Sequence, residues 1–196
     1  MYEVLLPQAD RDVDLLRRFV AGERSAFDSL VDLYHLRIYR FLWRMVGDRA
    51  RAEELTQDTF VRAFRAAQSF KARFRFSTWL YAIARNCARS ELKRRRSRWS
   101  AGEREPVEGL PDGGRAAARP GPDRQAEMRE VTGVVRRAVD ALPDDHRTAL
   151  VLTFYEGLSY EEVAEVLGRP RGTIKSWVFR AKRQLARMLR NAGIQD

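Results

Sequence analysis

The stretch Tyr160–Leu189, YEEVAEVLGRPRGTIKSWVFRAKRQLARML, leaves this chain little choice of fold. Val163, Ala164 and Leu167 fall on one side of a first helical segment, and Ser159 stands before it as a side chain suited to an N-cap. Ile174, Val178, Ala181, Leu185 and Met188 then repeat at helical spacing after Gly172. Between the two patterns, Gly168 can take the positive φ that a sharp turn needs, and Pro170 ends the first helical pattern. The small Ala164 lets the helices approach closely. The pattern is a helix-turn-helix, whose second helix is the one that enters a major groove.

On a wheel of about 100° per residue, Ser176, Phe179, Arg180, Arg183, Arg187 and Arg190 lie opposite the apolar stripe of that second helix, with Lys175 and Lys182 on a flank. Hydroxyl, guanidinium and ammonium groups bind phosphates and read guanine edges, and an exposed Phe179 suits a thymine methyl. Trp177, on the border between faces, is expected to pack. The plainer alternative is a solvated basic helix on a bundle surface.

The formal net charge of +10 points to a polyanionic partner, most simply nucleic acid. Both ends of the chain contribute. Residues 1–98 carry 21 Lys+Arg against 12 Asp+Glu, and from Arg169 onward eight basic residues face Asp196 alone. A single Cys87 excludes an intrachain disulfide, and His35 and His146 stand too far apart in sequence for a recognisable zinc spacing, so no cofactor or metal is expected. The start MYEVLLPQADRD lacks a basic stretch followed by an apolar core, and no segment approaches the roughly 18 apolar residues of a membrane span. The expectation is a cytoplasmic protein without membrane insertion.

The rest of the chain reads as helix. Phe27, Leu30, Val31, Tyr34, Ile38, Phe41, Leu42 and Met45 repeat at three and four residues within a helical pattern running from Asp12 to Val46. Gly47 ends it and Asp48 is placed to cap the next helix, which reaches about Ala67. There Ala52, Leu55, Thr59, Ala63 and Ala67 share a side, leaving Glu54, Gln57, Asp58, Val61, Phe64 and Arg65 around the other. Carboxylates repel phosphate, so this mixed acidic and apolar arc suits a protein partner, unless Val61 and Phe64 pack on a neighbouring helix.

Between Gln68 and Ser77, Phe70, Phe74 and Phe76 interleave with Lys71, Arg73 and Arg75. Aromatic faces stack on unpaired bases while cations follow the backbone, a composition for single-stranded or melted DNA; the alternative is a turn whose Phe side chains plug the core. Ser77 or Thr78 starts the next helix, with Leu80, Ile83, Ala84 and Cys87 buried and Arg85, Arg89, Lys93 and Arg96 opposite. A Pro- and Gly-rich tether from Ser100 to Gln125 breaks the pattern. Helix resumes near Ala126 with Met128, Val131, Val135 and Val139, and a further helix from Asp144 to Tyr155 precedes the helix-turn-helix.

Together these motifs resemble the extracytoplasmic-function (ECF) sigma factors of bacterial RNA polymerase, over nearly the whole chain. Ala52 to Phe60 looks like the family's polymerase-binding helix. Phe76-Ser77-Thr78-Trp79-Leu80-Tyr81 with Ile83-Ala84-Arg85-Asn86 looks like its melting and minus-10 segment. Leu142-Pro143, Gly157 to Ala164 and Gly172 to Ser176 look like its minus-35 domain. The resemblance implies an all-α fold of two small helical domains, residues 10–98 and 127–193, joined by a flexible linker over 99–126. It implies polymerase binding through Glu54, Gln57, Asp58 and Val61. Minus-10 binding and melting fall to Phe70, Lys71, Phe74, Arg75, Ser77, Thr78, Trp79, Arg85, Asn86, Arg89 and Lys93. Minus-35 binding falls to Arg171, Thr173, Lys175, Ser176, Phe179, Arg180 and Arg183. The implied partners are core RNA polymerase, promoter DNA and, as in many relatives, an anti-sigma factor. Trp177, Thr153 and Ser90 depart from residues common in the family, which leaves the promoter sequence open.

The reading is therefore a sigma factor that directs polymerase to promoters, helps melt the minus-10 region and performs no chemistry of its own. Its main rival is a helix-turn-helix regulator that acts without polymerase and has no use for the Phe/Arg loop. A nuclease would need a carboxylate cluster, a metal spacing or an activated nucleophile, none of which the sequence displays. A pure interaction protein leaves the basic face of the last helix without a purpose.

Overall fold

The computed structural model describes residues 8–71, 75–100, 133–135 and 137–193. Among the described residues there is helix and no strand. The first half comprises α1 (Gln8–Val20), α2 (Arg24–Val46), α3 (Arg49–Ala66), a 3-10 turn (Ala67–Ser69) and α4 (Phe76–Ser100). The second half comprises α5 (Asp144–Phe154), α6 (Tyr160–Leu167) and α7 (Arg171–Asn191), preceded by helical residues at 133–135 and 137–140. The expected linker and Met128 and Val131 lie outside the described residues, except that α4 continues through Ser100.

The single helical pattern expected from Asp12 to Val46 is two helices. Gly22, at φ +110°, turns the chain between α1 and α2, a conformation that side-chain-bearing residues rarely adopt. Periodicity missed the break because Leu15 and Leu16 of α1 pack into the same core as Phe27 and Leu30 of α2. The next junction falls as expected. Gly47 takes φ +72° and Asp48 accepts the Arg51 backbone N–H at 2.9 Å, satisfying one of the orphan donors at the start of α3.

Apolar burial organises the first half. Leu30, Ile38, Phe41 and Leu42 of α2, Ala52 and Ala63 of α3, and Phe76, Leu80 and Ala84 of α4 are all sealed from solvent. Phe76, expected in the loop, instead opens α4 and meets Tyr34 with ring centroids 5.4 Å apart. Two polar groups are enclosed with this core. Glu91 of α4 is almost fully buried and accepts the Arg51 guanidinium at 2.8 Å, which ties α4 to α3. Asp12 of α1 accepts the Tyr34 hydroxyl, while its other carboxyl oxygen has no hydrogen-bond partner among the described residues.

Burial holds the Asp12 carboxyl above its ordinary pKa, against the lowering influence of the Tyr34 hydrogen bond and of Arg11 and Arg37. The folded chain thus retains a proton at pH values where the unfolded chain has lost it, and stability falls as pH rises through that window above about 4. Asp12→Asn keeps an acceptor for Tyr34 and removes the buried charge. It is expected to unfold at higher denaturant concentration than the parent at pH 7, the gap closing as pH is lowered toward 4; a destabilised variant at pH 7 would refute this.

Candidate nucleic-acid and partner interfaces

The helix-turn-helix forms from local chemistry. Ser159 accepts the Glu162 backbone N–H at 3.2 Å and Glu162 accepts the Ser159 N–H at 2.8 Å, a reciprocal capping box that starts α6. Gly168 ends α6 at φ +61°, and Pro170, at φ −59°, leads into α7 rather than simply stopping α6. Ile174, Val178 and Ala181 are buried, and Ala181 packs with Leu142 and Leu150. This fixes the roll of α7 about its own axis.

Its outward face follows the wheel. Lys175, Phe179, Arg180 and Arg183 are exposed, Phe179 at 59%, with the Arg183 guanidinium 5.8 Å from the Phe179 ring. Thr173 and Ser176 are half-buried beside them. Arg171 is exposed and pairs with Glu161 at 2.5 Å. Trp177 packs as expected, half-buried, with its ring 5.4 Å from that of His146. Burial there, aided by the Arg180 charge, holds the His146 pKa below its ordinary value.

A second face lies on α3. Glu54, Gln57, Asp58, Val61 and Phe64 are all exposed, while Leu55, Thr59 and Ala63 point into the core. Phe64 is only partly free of its neighbours, since its ring meets Phe19 and Phe27 at 4.8 and 5.2 Å. Val61 and Phe64 nevertheless remain 47% and 46% exposed beside two acidic side chains, so the arc is apolar as well as acidic.

The third set surrounds the start of α4. Phe70 is half-buried and packs on Phe76 and Trp79, whose ring centroids stand 6.3 and 5.4 Å away. Lys71 and Arg75 are exposed, Ser77 and Trp79 are half-buried, and Phe74 lies outside the described residues. Thr78 is buried, its hydroxyl without a hydrogen-bond partner among the described residues. Asn86, Arg89 and Lys93 are exposed. Arg85, expected to face solvent, is instead largely covered and donates to Asp145 of α5 at 2.9 Å. Cys87 is buried and its thiol pKa is pushed up by that burial, which fits an inert core residue.

Arg85 is part of a seam between the two halves that periodicity did not reveal. The Glu156 carboxylate, 5% exposed, accepts the Tyr81 hydroxyl at 2.5 Å and lies 3.4 Å from Arg44 and 4.0 Å from Arg37. Arg96 meets Asp144 at 2.6 Å and Arg75 meets Glu162 at 3.1 Å. Apolar side chains continue across the same boundary, joining Met45 and Val46 to Val151, Leu152 and Val163 in one core. One signal was present in the sequence: Phe41, Leu42, Trp43, Met45 and Val46 leave Arg44 as the one polar residue of six, more apolar side chains than a single helical stripe holds. All six are buried at a surrounded end of α2.

Comparison with known proteins places this architecture. The Sigma-70 region 2 family model matches residues 30–98 and the Sigma-70 region 4 model matches residues 132–185. The RNA polymerase sigma-H factor of Pseudomonas aeruginosa is 35% identical over 182 residues, spanning 92% of this chain and 94% of that protein. The chain belongs to the ECF sigma factors.

The ECF sigma factor SigW of Bacillus subtilis is similarly related, at 31% identity over 90% of this chain and 95% of its own length. A crystallised sigma factor RpoE from Bartonella quintana, in complex with the anti-sigma factor NepR, matches with a TM-score of 0.66 at 26% identity. That match covers 84% of this chain and 96% of RpoE. The function is accordingly that of an RNA polymerase sigma factor, working with core polymerase and promoter DNA in transcription initiation, and a regulator acting apart from polymerase is not favoured. No helix among the described residues is long and apolar enough to cross a membrane.

Proposed function

We propose that this sigma factor grips a promoter at two points while seated on polymerase, through three faces of different chemistry. The α7 face, with Arg171, Thr173, Lys175, Ser176, Phe179, Arg180 and Arg183, reads the minus-35 duplex. Phe70, Lys71, Phe74, Arg75, Ser77, Thr78 and Trp79, with Arg85, Asn86, Arg89 and Lys93, hold and melt the minus-10 element. Glu54, Gln57, Asp58 and Val61 on α3 bind the polymerase clamp. The observation that carries this reading is the separation of surfaces: acids and exposed Val61 and Phe64 on α3, cations around exposed Phe179 on α7.

Residues 10–98 form the melting domain, 127–193 the duplex-reading domain and 99–126 the tether between them. The protein performs no chemistry. Capture of an unstacked base offsets an unpairing cost of a few kcal/mol, and the polymerase does the rest. It acts in the cytoplasm, and an anti-sigma factor such as the one bound to the Bartonella relative is a fitting regulator. The test is reconstitution of the full chain with core polymerase. Specific, promoter-dependent transcripts are expected; a core enzyme that gains no promoter selectivity overturns the reading.

A further inference from the structure

We infer that the first half carries a binding site for a small free polyphosphate, a chain of two or three phosphates, in the angle between the start of α3 and the end of α4. A pocket of about 440 Å3 opens there, within the roughly 300–1,000 Å3 of small-ligand sites. Arg51 from α3 and Arg94, Arg95 and Arg98 from α4 line it. Planar guanidinium forks of this kind bind phosphate oxygens two at a time. Among the described residues no aromatic ring lines the pocket, so it offers charge and hydrogen bonds rather than a stacking face for a base.

One buried acid anchors the cluster. The Glu91 side chain is 3% exposed and accepts Arg51 at 2.8 Å, whereas Arg94, Arg95 and Arg98 approach it only at 3.8, 3.9 and 3.7 Å. Arg95 is fixed by other partners, the Val46 carbonyl at 2.6 Å and Asp48 at 3.2 Å. Arg94 and Arg98 are the outer arms, 65% and 44% exposed, and neither reaches hydrogen-bond length to Glu91. A carboxylate shared in this way gathers the guanidiniums without neutralising them all. The Nε of Arg51 is enclosed beside the pocket and has no hydrogen-bond partner among the described residues.

The other acids of the lining leave room for an anion. Asp48 is engaged by the Arg51 backbone N–H and by Arg95, and Glu54, exposed and paired with Arg51, stands at the rim. Asp48 and Ala50 place the N-terminal end of α3 at the pocket, where its partial positive charge adds to that of the arginines. The site is separate from the minus-10 row. On a wheel of about 100° per residue, Arg94, Arg95 and Arg98 lie within about 60° of Glu91, whereas Asn86, Arg89 and Lys93 lie about 140–160° away from it. A DNA backbone laid along that row runs on the opposite side of α4, so the occupant that fits the pocket is a free polyphosphate.

Calorimetric titration of the full-length chain with sodium tripolyphosphate, without magnesium, tests this. A single saturable site is expected, with orthophosphate binding at least about tenfold more weakly because a lone phosphate engages fewer of the guanidiniums. Adenosine triphosphate should match tripolyphosphate within about threefold, since the phosphate chain alone is recognised. The double substitution Arg94→Ala, Arg98→Ala, at exposed positions, should weaken tripolyphosphate binding at least about tenfold with helicity intact. Arg17→Ala, Arg24→Ala removes the same charge from exposed positions on α1 and α2 and should change the affinity by less than about twofold. Glu54→Gln, which removes the acid at the rim, should strengthen binding about threefold. Absence of a saturable site, equal weakening by the two double variants, or weaker binding in Glu54→Gln overturns the proposal. So does orthophosphate binding as tightly as tripolyphosphate, a nucleotide differing from it by more than about tenfold, or displacement of tripolyphosphate by a minus-10 non-template oligonucleotide, which would assign these arginines to the DNA backbone.

Discussion

Phe76→Ala is expected to destabilise the first half by about 3–5 kcal/mol, read as a shift in the denaturation midpoint with an unchanged slope. Phe76 has no solvent exposure and its ring meets those of Tyr34, Phe70 and Trp79 at 5.4, 6.3 and 5.7 Å. Truncation removes the apolar transfer term and leaves a cavity that Tyr34 fills poorly, since its hydroxyl is held by Asp12. Phe76→Leu, which keeps most of the volume, should cost less than about 1.5 kcal/mol. The larger loss should also free Phe70, whose ring packs on those of Phe76 and Trp79, and so loosen the entry to α4. A Phe76→Ala variant as stable as the parent would mean the ring serves DNA rather than the core.

That residue shows where sequence reading was strong and where it failed. Interleaving of Phe and Arg between Gln68 and Ser77 pointed to base stacking, and composition alone could not say which ring turns inward. The answer lies in α2, because Tyr34 of that helix faces Phe76 across some forty residues of chain. Helical periodicity, by contrast, is local. It placed Ile174, Val178 and Ala181 inside and Phe179 and Arg180 outside, and the capping box at Ser159 and the left-handed Gly168 follow from side chains within three or four residues of each helix end. The break at Gly22 escaped because two consecutive helices that feed one core keep an uninterrupted apolar rhythm. The seam escaped for a deeper reason. Its ion pairs join residues 48 to 119 positions apart, and opposite charges at such separations carry no periodic signature. Arg85 was assigned to solvent because it lies opposite Leu80 and Ala84, yet a helix with neighbours on two sides has two inward faces.

Arg180→Ala should weaken binding to minus-35 duplex by about 1–3 kcal/mol, roughly 5- to 150-fold, and leave binding to core polymerase unchanged; Asp58→Ala should do the reverse. Arg180 is exposed on the face of α7 opposite Ile174 and Val178, so its removal opens no cavity and takes from α7 a guanidinium suited to reading a guanine. One side effect is built in. The Arg180 charge helps keep His146 neutral, so Arg180→Ala should move the His146 titration upward toward its ordinary range, which proton resonance can follow independently of DNA. Asp58 is exposed on α3 one turn before Val61 and Arg62, on the arc that presents Val61 and Phe64. A charge at the rim of an apolar patch acts chiefly on association rate, so the Asp58→Ala loss should shrink as salt rises, whereas Val61→Ala should weaken polymerase binding at every salt concentration. DNA binding should depend on salt in the Asp58→Ala variant as it does in the parent, because no phosphate contact has been removed. Equal loss of both activities in both variants would mean that the two faces are not separate and that the substitutions act through the fold.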